Sequence, residues 1–204
     1  MSTLVLNGTN FTYSGFSQLM NDLVTSNRTS GINQSASRIH FTSLNKARME
    51  RIHKTTILAD QTRSTIQRLE HHQTWYVITE AWCGDSAQSL PIIAKIAEAN
   101  PKKVDLKIIL RDENPEWIDK YHTSGSRSIP KLIAFDDWGN ELLTWGPRPV
   151  EAQKLFLTWK ENPEEKSWGE FEKELHTWYA RDKGNSIQHE ITKCLSSVKP
   201  YSIL

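Results

Sequence analysis

One of the two cysteines stands where a thiol can react. Cys83 follows a segment dense in β-branched and aromatic residues, T-W-Y-V-I-T-E at 74–80, which reads as a buried strand, and it directly precedes a helical stretch at 85–99. A helix start offers unpaired N–H groups and the positive end of the backbone dipole, both of which favour a negative charge. A thiol there is expected to shift toward the thiolate, the form that attacks disulfides. Around it, Gly84 lets the chain turn tightly. Trp82 shields one side of the sulfur while leaving it exposed, and the Ser86 hydroxyl can donate to a thiolate. Asp85 suits the first helical turn, but beside a thiolate it repels and partly offsets the lowered pKa. A lone loop cysteine is usually inert; Trp82-Cys83-Gly84 at a strand-to-helix junction points to redox chemistry.

The other candidates are weaker. Cys194 falls on an apolar helical stripe with Ile187, Ile191, Leu195 and Val198, where a cysteine usually serves as a small buried hydrophobe rather than a resolving thiol. His71 and His72 are adjacent, so their side chains point apart, and no partner is spaced for ligation; no metal is expected. Glu80, three residues before Cys83, reads as a solvated or ion-paired strand-end carboxylate.

The elements that would position these residues follow from periodicity. Strands are expected at 74–80, 104–110, 131–135 and 141–145, the last two joined as a hairpin by the D-D-W-G-N turn at 136–140. Helices are expected at 85–99, with Pro91 inside; from Asn114 and Pro115, as N-cap and first turn, to Tyr121; and at 150–160. The order β-α-β-α-β-β-α defines an α/β unit. Before it, Phe16, Leu19, Met20 and Leu23 recur at helical spacing, and 36–70, free of Pro and Gly, reads as two polar helices that must lie on something else. After it, a helix is expected to start at Asn162-Pro163-Glu164-Glu165 and to present Trp168, Phe171, Leu175 and Trp178; Gly184 stops it, and a last helix follows.

With these elements in place, the sequence resembles the thioredoxin family over 74 to about 160. Trp82-Cys83-Gly84 matches the first three residues of the family's W-C-G-P-C motif, and Pro91 falls where the family's helix carries its proline. Asp112-Glu113-Asn114-Pro115 with Lys120-Tyr121 matches the segment after the second strand, and Arg127-Ser128-Ile129-Pro130-Lys131 the cis-proline segment. The resemblance implies a thioredoxin-like fold in which Pro130 is cis and lies beside Cys83, with Trp145-Gly146-Pro147-Arg148-Pro149 bordering the same groove. Arg148, stiffened between prolines, is a candidate holder of a carboxylate of glutathione or substrate. Ile129, pushed toward extended geometry by the proline after it, is a candidate backbone for strand-like docking. The departures are equally specific. Ser86 replaces the second cysteine, so the motif cannot close its own disulfide. Asp85 replaces the motif proline. The positions of the family's buried Asp–Lys pair align with the apolar Val77 and Ile108.

Composition bounds the rest. Against 25 Lys and Arg stand 24 Asp and Glu, a net charge of +1 that argues against a nucleic-acid surface. No apolar run is long enough to span a bilayer and no signal peptide is evident, so a cytoplasmic protein in a reducing compartment is expected. The expected architecture is a thioredoxin-like domain at 74–160, a mostly helical N-terminal extension at 1–73 and C-terminal helices at 161–204 packed on the domain. The expected function is thiol-disulfide exchange through Cys83, aided by Trp82 and Ser86, with protein thiols or disulfides or glutathione as partners and no bound cofactor. The alternative is a non-catalytic binding module of the same fold. A depressed Cys83 pKa would favour the first, an ordinary or raised one the second.

Overall fold

Alternation along the strands dictates the layers. In the computed structural model, which describes residues 6–198, β1 (Gln73–Thr79) sends Trp75 and Val77 to one face of a sheet and Ile78 to the other. β2 (Val104–Leu110) runs parallel to β1, and β3 (Lys131–Asp136) runs antiparallel to it on its other side. β4 (Glu141–Trp145) closes a hairpin with β3, giving the order β2-β1-β3-β4. Val77 faces Ile108 and Leu132 across the register, so one apolar row crosses β2, β1 and β3. Ile78, Ile109 and Ile133 cluster on the opposite face with Trp117 and Ile118 of α5 (Pro115–Lys120).

The first face carries the thicker helical layer. α4 (Gly84–Glu98), with Pro91 inside, is buried along almost its whole length. It is covered by α2 (Ala36–Thr55), α3 (Asp60–Gln67) and α8 (Asn185–Ser197). α1 (Tyr13–Thr25) buries Phe16 and Met20, and just before it Phe11 exchanges two backbone hydrogen bonds with Ile108 (2.8 and 2.7 Å), protecting the β2 edge. The polar α2 packs through Thr42, Asn45 and Met49, using its polar groups as hydrogen-bonding struts rather than as a solvated face. The last described helix is tied to α3 and to the link before it: Gln188 of α8 accepts from Ala59 N (2.8 Å) and donates to Ile57 O (3.3 Å), and Thr192 bonds Thr62 (3.0 Å). No described helix is long and apolar enough to cross a membrane.

Two local expectations need correction. The C-terminal helix does not begin at 162–165. α6 (Val150–Glu161) ends there, and α7 (Trp168–Asp182) starts at a capping box. In it Ser167 Oγ accepts from Glu170 N (3.3 Å) while the Glu170 carboxylate accepts from Ser167 N (2.9 Å). That reciprocal pair satisfies two helix-start donors, an advantage the upstream Asn-Pro lacks. The buried stripe of α7 is Phe171, Leu175 and Tyr179, whereas Trp168 is half exposed. Asn114 stands at the start of α5 without capping through its side chain; fully buried, it instead donates to Leu110 O (2.9 Å) and accepts from Asn7 N (2.9 Å).

Candidate active site

β1 delivers the chain to a corner that the N-terminal segment holds in place. The Ser30 hydroxyl donates to the Glu80 carboxylate and accepts from Ala81 N (2.8 Å). Asp112 N donates to Glu80 (2.9 Å), and Asn45 Nδ2 of α2 donates to Ala81 O (3.0 Å). Glu80 is therefore neither solvated nor ion-paired, as its sequence position suggested. It is a buried strut whose pKa burial raises.

Cys83 is the N-cap of α4. Its sulfur accepts from Ser86 N (3.5 Å), and its thiol donates to the Ile129 carbonyl (3.4 Å). The peptide bond from Ile129 to Pro130 is cis, as is that from Gly146 to Pro147. Two expectations about the thiol are reversed. Cys83 is only 7% exposed. Its pKa is pushed up to about 11, first by burial and then by the Asp85 carboxylate. The Ser86 N–H and hydroxyl and the Arg148 guanidinium pull the other way without prevailing. The helix start does favour the anion, but loss of water and a neighbouring like charge outweigh it.

Asp85 is drawn inward rather than left at the helix surface. It pairs with Arg148 (2.6 Å) and accepts from the Tyr179 hydroxyl of α7 (2.9 Å), while burial raises its pKa. Arg148 also donates to Gln153 (3.1 Å) and lies over the Phe156 ring (4.3 Å). It borders the groove as expected, but its guanidinium is committed to Asp85. Gly84 is the first helical residue and makes no left-handed turn; its lack of a side chain instead gives room to α7, since a Cβ there would lie 3.3 Å from His176 Cε1. His176 in turn bonds Gln88 (3.1 Å), and burial with the nearby Arg48 pulls its pKa down to about 4.

The thiol forms part of the wall of a groove of about 400 Å³, shared by Arg38 and Phe41 of α2, Arg111 after β2, Ile129 and Trp168. Trp82, half buried, lies under two guanidinium groups, Arg38 at 4.1 Å and Arg111 at 4.9 Å from its ring. Sequence reasoning missed Arg38, Arg111, His176 and Tyr179. Arg111 was within reach: it follows the strand parallel to β1, so both strand ends arrive at one edge. Arg38, His176 and Tyr179 come from helices whose docking no local pattern reveals. Cys194 is half buried on α8 and belongs to the other apolar cluster, its pKa raised by burial and Glu190. His72 bonds Asp137 (2.8 Å), and among the described residues no three His, Cys, Asp or Glu side chains group to hold a metal.

A family profile described as thioredoxin matches residues 31–180, from before α2 to the last turn of α7. The chain belongs to the thioredoxin family. A thioredoxin from Rhodospirillum rubrum is 41% identical over 56 residues, which are 28% of this chain and 51% of that protein. The chain thus spans about half the length of that curated relative. Two solved structures share the fold alone. An HIV epitope scaffold aligns with 88% of this chain and 98% of its own at 16% identity and a TM-score of 0.55. A protein of unknown function from Pseudomonas aeruginosa aligns with 91% and 96% at 17% identity and a TM-score of 0.52. Within this thioredoxin-family chain, Val77 and Ile108 face each other fully buried, an apolar pair behind the site.

Proposed function

We propose that the chain carries out thiol-disulfide exchange through Cys83 alone. The observation that supports this most directly is the sulfur at the N-cap of α4, hydrogen-bonded to the carbonyl that precedes Pro130. This contact supports a nucleophile working beside a backbone segment that receives an extended partner. The Cys83 thiolate attacks one sulfur of a disulfide. The Cys83–substrate S–S bond forms as the substrate's S–S bond breaks, and the leaving sulfur takes up the proton Cys83 has lost. Ser86 N–H and its hydroxyl stabilise the thiolate before attack. With serine in place of a second cysteine, the mixed disulfide persists until an outside thiol, from a protein or glutathione, attacks it and frees Cys83. A reducing cytoplasm supplies such thiols. Because the resting thiol is protonated at neutral pH, exchange is slow and rises with pH.

A second reading, a binding module that keeps the groove without catalysis, is favoured by the same buried, raised thiol. The two separate by mass spectrometry after incubation with glutathione disulfide between pH 7 and 11. Exchange predicts an adduct on Cys83 that forms faster as pH rises, is released by excess thiol and is missing from Cys83→Ser. It also predicts that Ser86→Cys raises turnover in a protein-disulfide reduction assay. An adduct-free Cys83 across the whole range supports the binding module.

A further inference from the structure

We infer that Arg38 and Arg111, stacked on Trp82, form an anion subsite that selects thiols or disulfides carrying a carboxylate close to the reacting sulfur. The inference rests on the exchange reading and names the substrate class of the same groove. Four arginines line it: Arg38, Arg111, Arg127 and Arg148. Three are already paired with carboxylates: Arg127 with Asp119 through two bonds of 2.6 Å, Arg148 with Asp85 at 2.6 Å, and Arg111 with its neighbour Asp112 at 2.8 Å. Arg38 has no carboxylate partner among the described residues; its guanidinium lies over the face of Trp82 at 4.1 Å.

A guanidinium lying over an aromatic ring keeps its in-plane N–H groups directed outward, in the fork that a carboxylate fills with two parallel bonds. The ring fixes the cation in place, so less freedom is lost when the anion binds. Two further donors around the groove are buried without an acceptor, Trp82 Nε1 and Arg148 Nε.

The charge balance limits the anion. Asp85 and Glu172 also line the groove, and the whole chain carries only +1. That local, partly compensated field suits a single carboxylate and disfavours a polyanion such as nucleic acid. At about 400 Å³ the space holds a few residues rather than a folded surface. The subsite also gives α2 a role in recognition: it brings Arg38 to the groove that the thiol lines, and Ser35 caps that helix by accepting from Arg38 N (3.4 Å).

The carboxylate can come from a small thiol such as glutathione or from an acidic protein segment, and the experiment separates them. Cys83→Ser protein, which cannot react, is titrated at low ionic strength with S-methylglutathione and with a short peptide bearing S-methylcysteine between two glutamates. Each probe is paired with its counterpart in which the carboxylates are amides. The acidic form is expected to bind at least tenfold tighter for one or both probes, and the responding probe identifies the source. Adding Arg38→Ala is expected to abolish the preference, and Arg111→Ala to reduce it. Both residues sit at the groove rim, and a circular dichroism spectrum unchanged from the parent verifies folding of each variant. Equal binding of acid and amide forms, or a preference that survives Arg38→Ala, overturns the subsite. The exchange reading stands or falls separately, on adduct formation at Cys83 in the unsubstituted protein.

Discussion

At the scale of single residues, the chemistry turns on one carboxylate beside one thiol. Asp85 raises the Cys83 pKa, and Arg148 lowers it. Asp85→Asn removes the like charge and leaves Arg148 without its anion, so both changes favour the thiolate. The thiol midpoint is expected to fall by about one unit, and alkylation at pH 8 to quicken about tenfold. Iodoacetamide labelling followed by mass spectrometry measures this; an unchanged rate would show that burial alone sets the thiol. The same pKa makes stability depend on pH. The folded thiol ionises near 11 and the unfolded one near 9.0. The folded state thus holds its proton after the unfolded state has lost it. The contribution is complete below pH 9 and is lost as pH rises toward 11, to a total on the order of 2–3 kcal/mol. Urea denaturation across that window should show a steeper loss for the parent than for Cys83→Ser, and parallel curves would contradict the raised thiol.

At the scale of elements, the Pro130 segment is held from behind by the turn between β4 and α6. Gly146 there has φ +109, and a Cβ on it would collide with the backbone carbonyl of Pro130. Backbone cannot yield as a flexible side chain would. Lys131 fastens the two segments further, donating to Gly146 O (3.0 Å) and Thr123 Oγ1 (2.7 Å). Gly146→Ala is therefore expected to destabilise the chain by about 2–4 kcal/mol, combining backbone strain with a steric clash. It should also slow adduct formation at Cys83, because the Ile129 carbonyl moves with Pro130. Chemical denaturation and the glutathione disulfide assay read the two effects, and a variant with parental stability would refute the tight-turn account.

Across the whole molecule, the helices outside the central α/β unit are built into its core rather than appended to it. Phe16, Met49, Ile66, Phe171, Ile187 and Ile191 share one apolar cluster with Trp75 and Val77 of the sheet. Gln188 joins the last helix to the link between α2 and α3 through Ala59 N and Ile57 O. Gln188→Ala leaves both backbone groups without that partner and is expected to cost about 1–3 kcal/mol. Unfolding should remain a single transition, with tryptophan fluorescence and far-ultraviolet circular dichroism coinciding. Two separated transitions would mean that the terminal helices form a unit of their own.

The positions of the four strands, of α4 and of the cysteine at its start were legible in the amino-acid order. Each depends on a local signal: β-branched and aromatic density at 74–80, the turn at 136–140, and a cysteine between a strand and a helix. The true start of α7 was also local, in Ser167 and Glu170, but the Asn-Pro pair before it imitates a helix start. The state of Cys83 was decided by tertiary structure. Its sequence neighbourhood predicts a thiolate, because a helix dipole is a property of adjacent residues. Its observed burial comes from cover supplied by distant parts of the chain, and the inward turn of Asp85 depends on Tyr179 and Arg148. Desolvation depends on what lies between a group and water, and only the packed chain fixes that. Arg38 illustrates the same limit: nothing around it in α2 marks it, and it becomes a candidate reader of substrate only when that helix docks over Trp82.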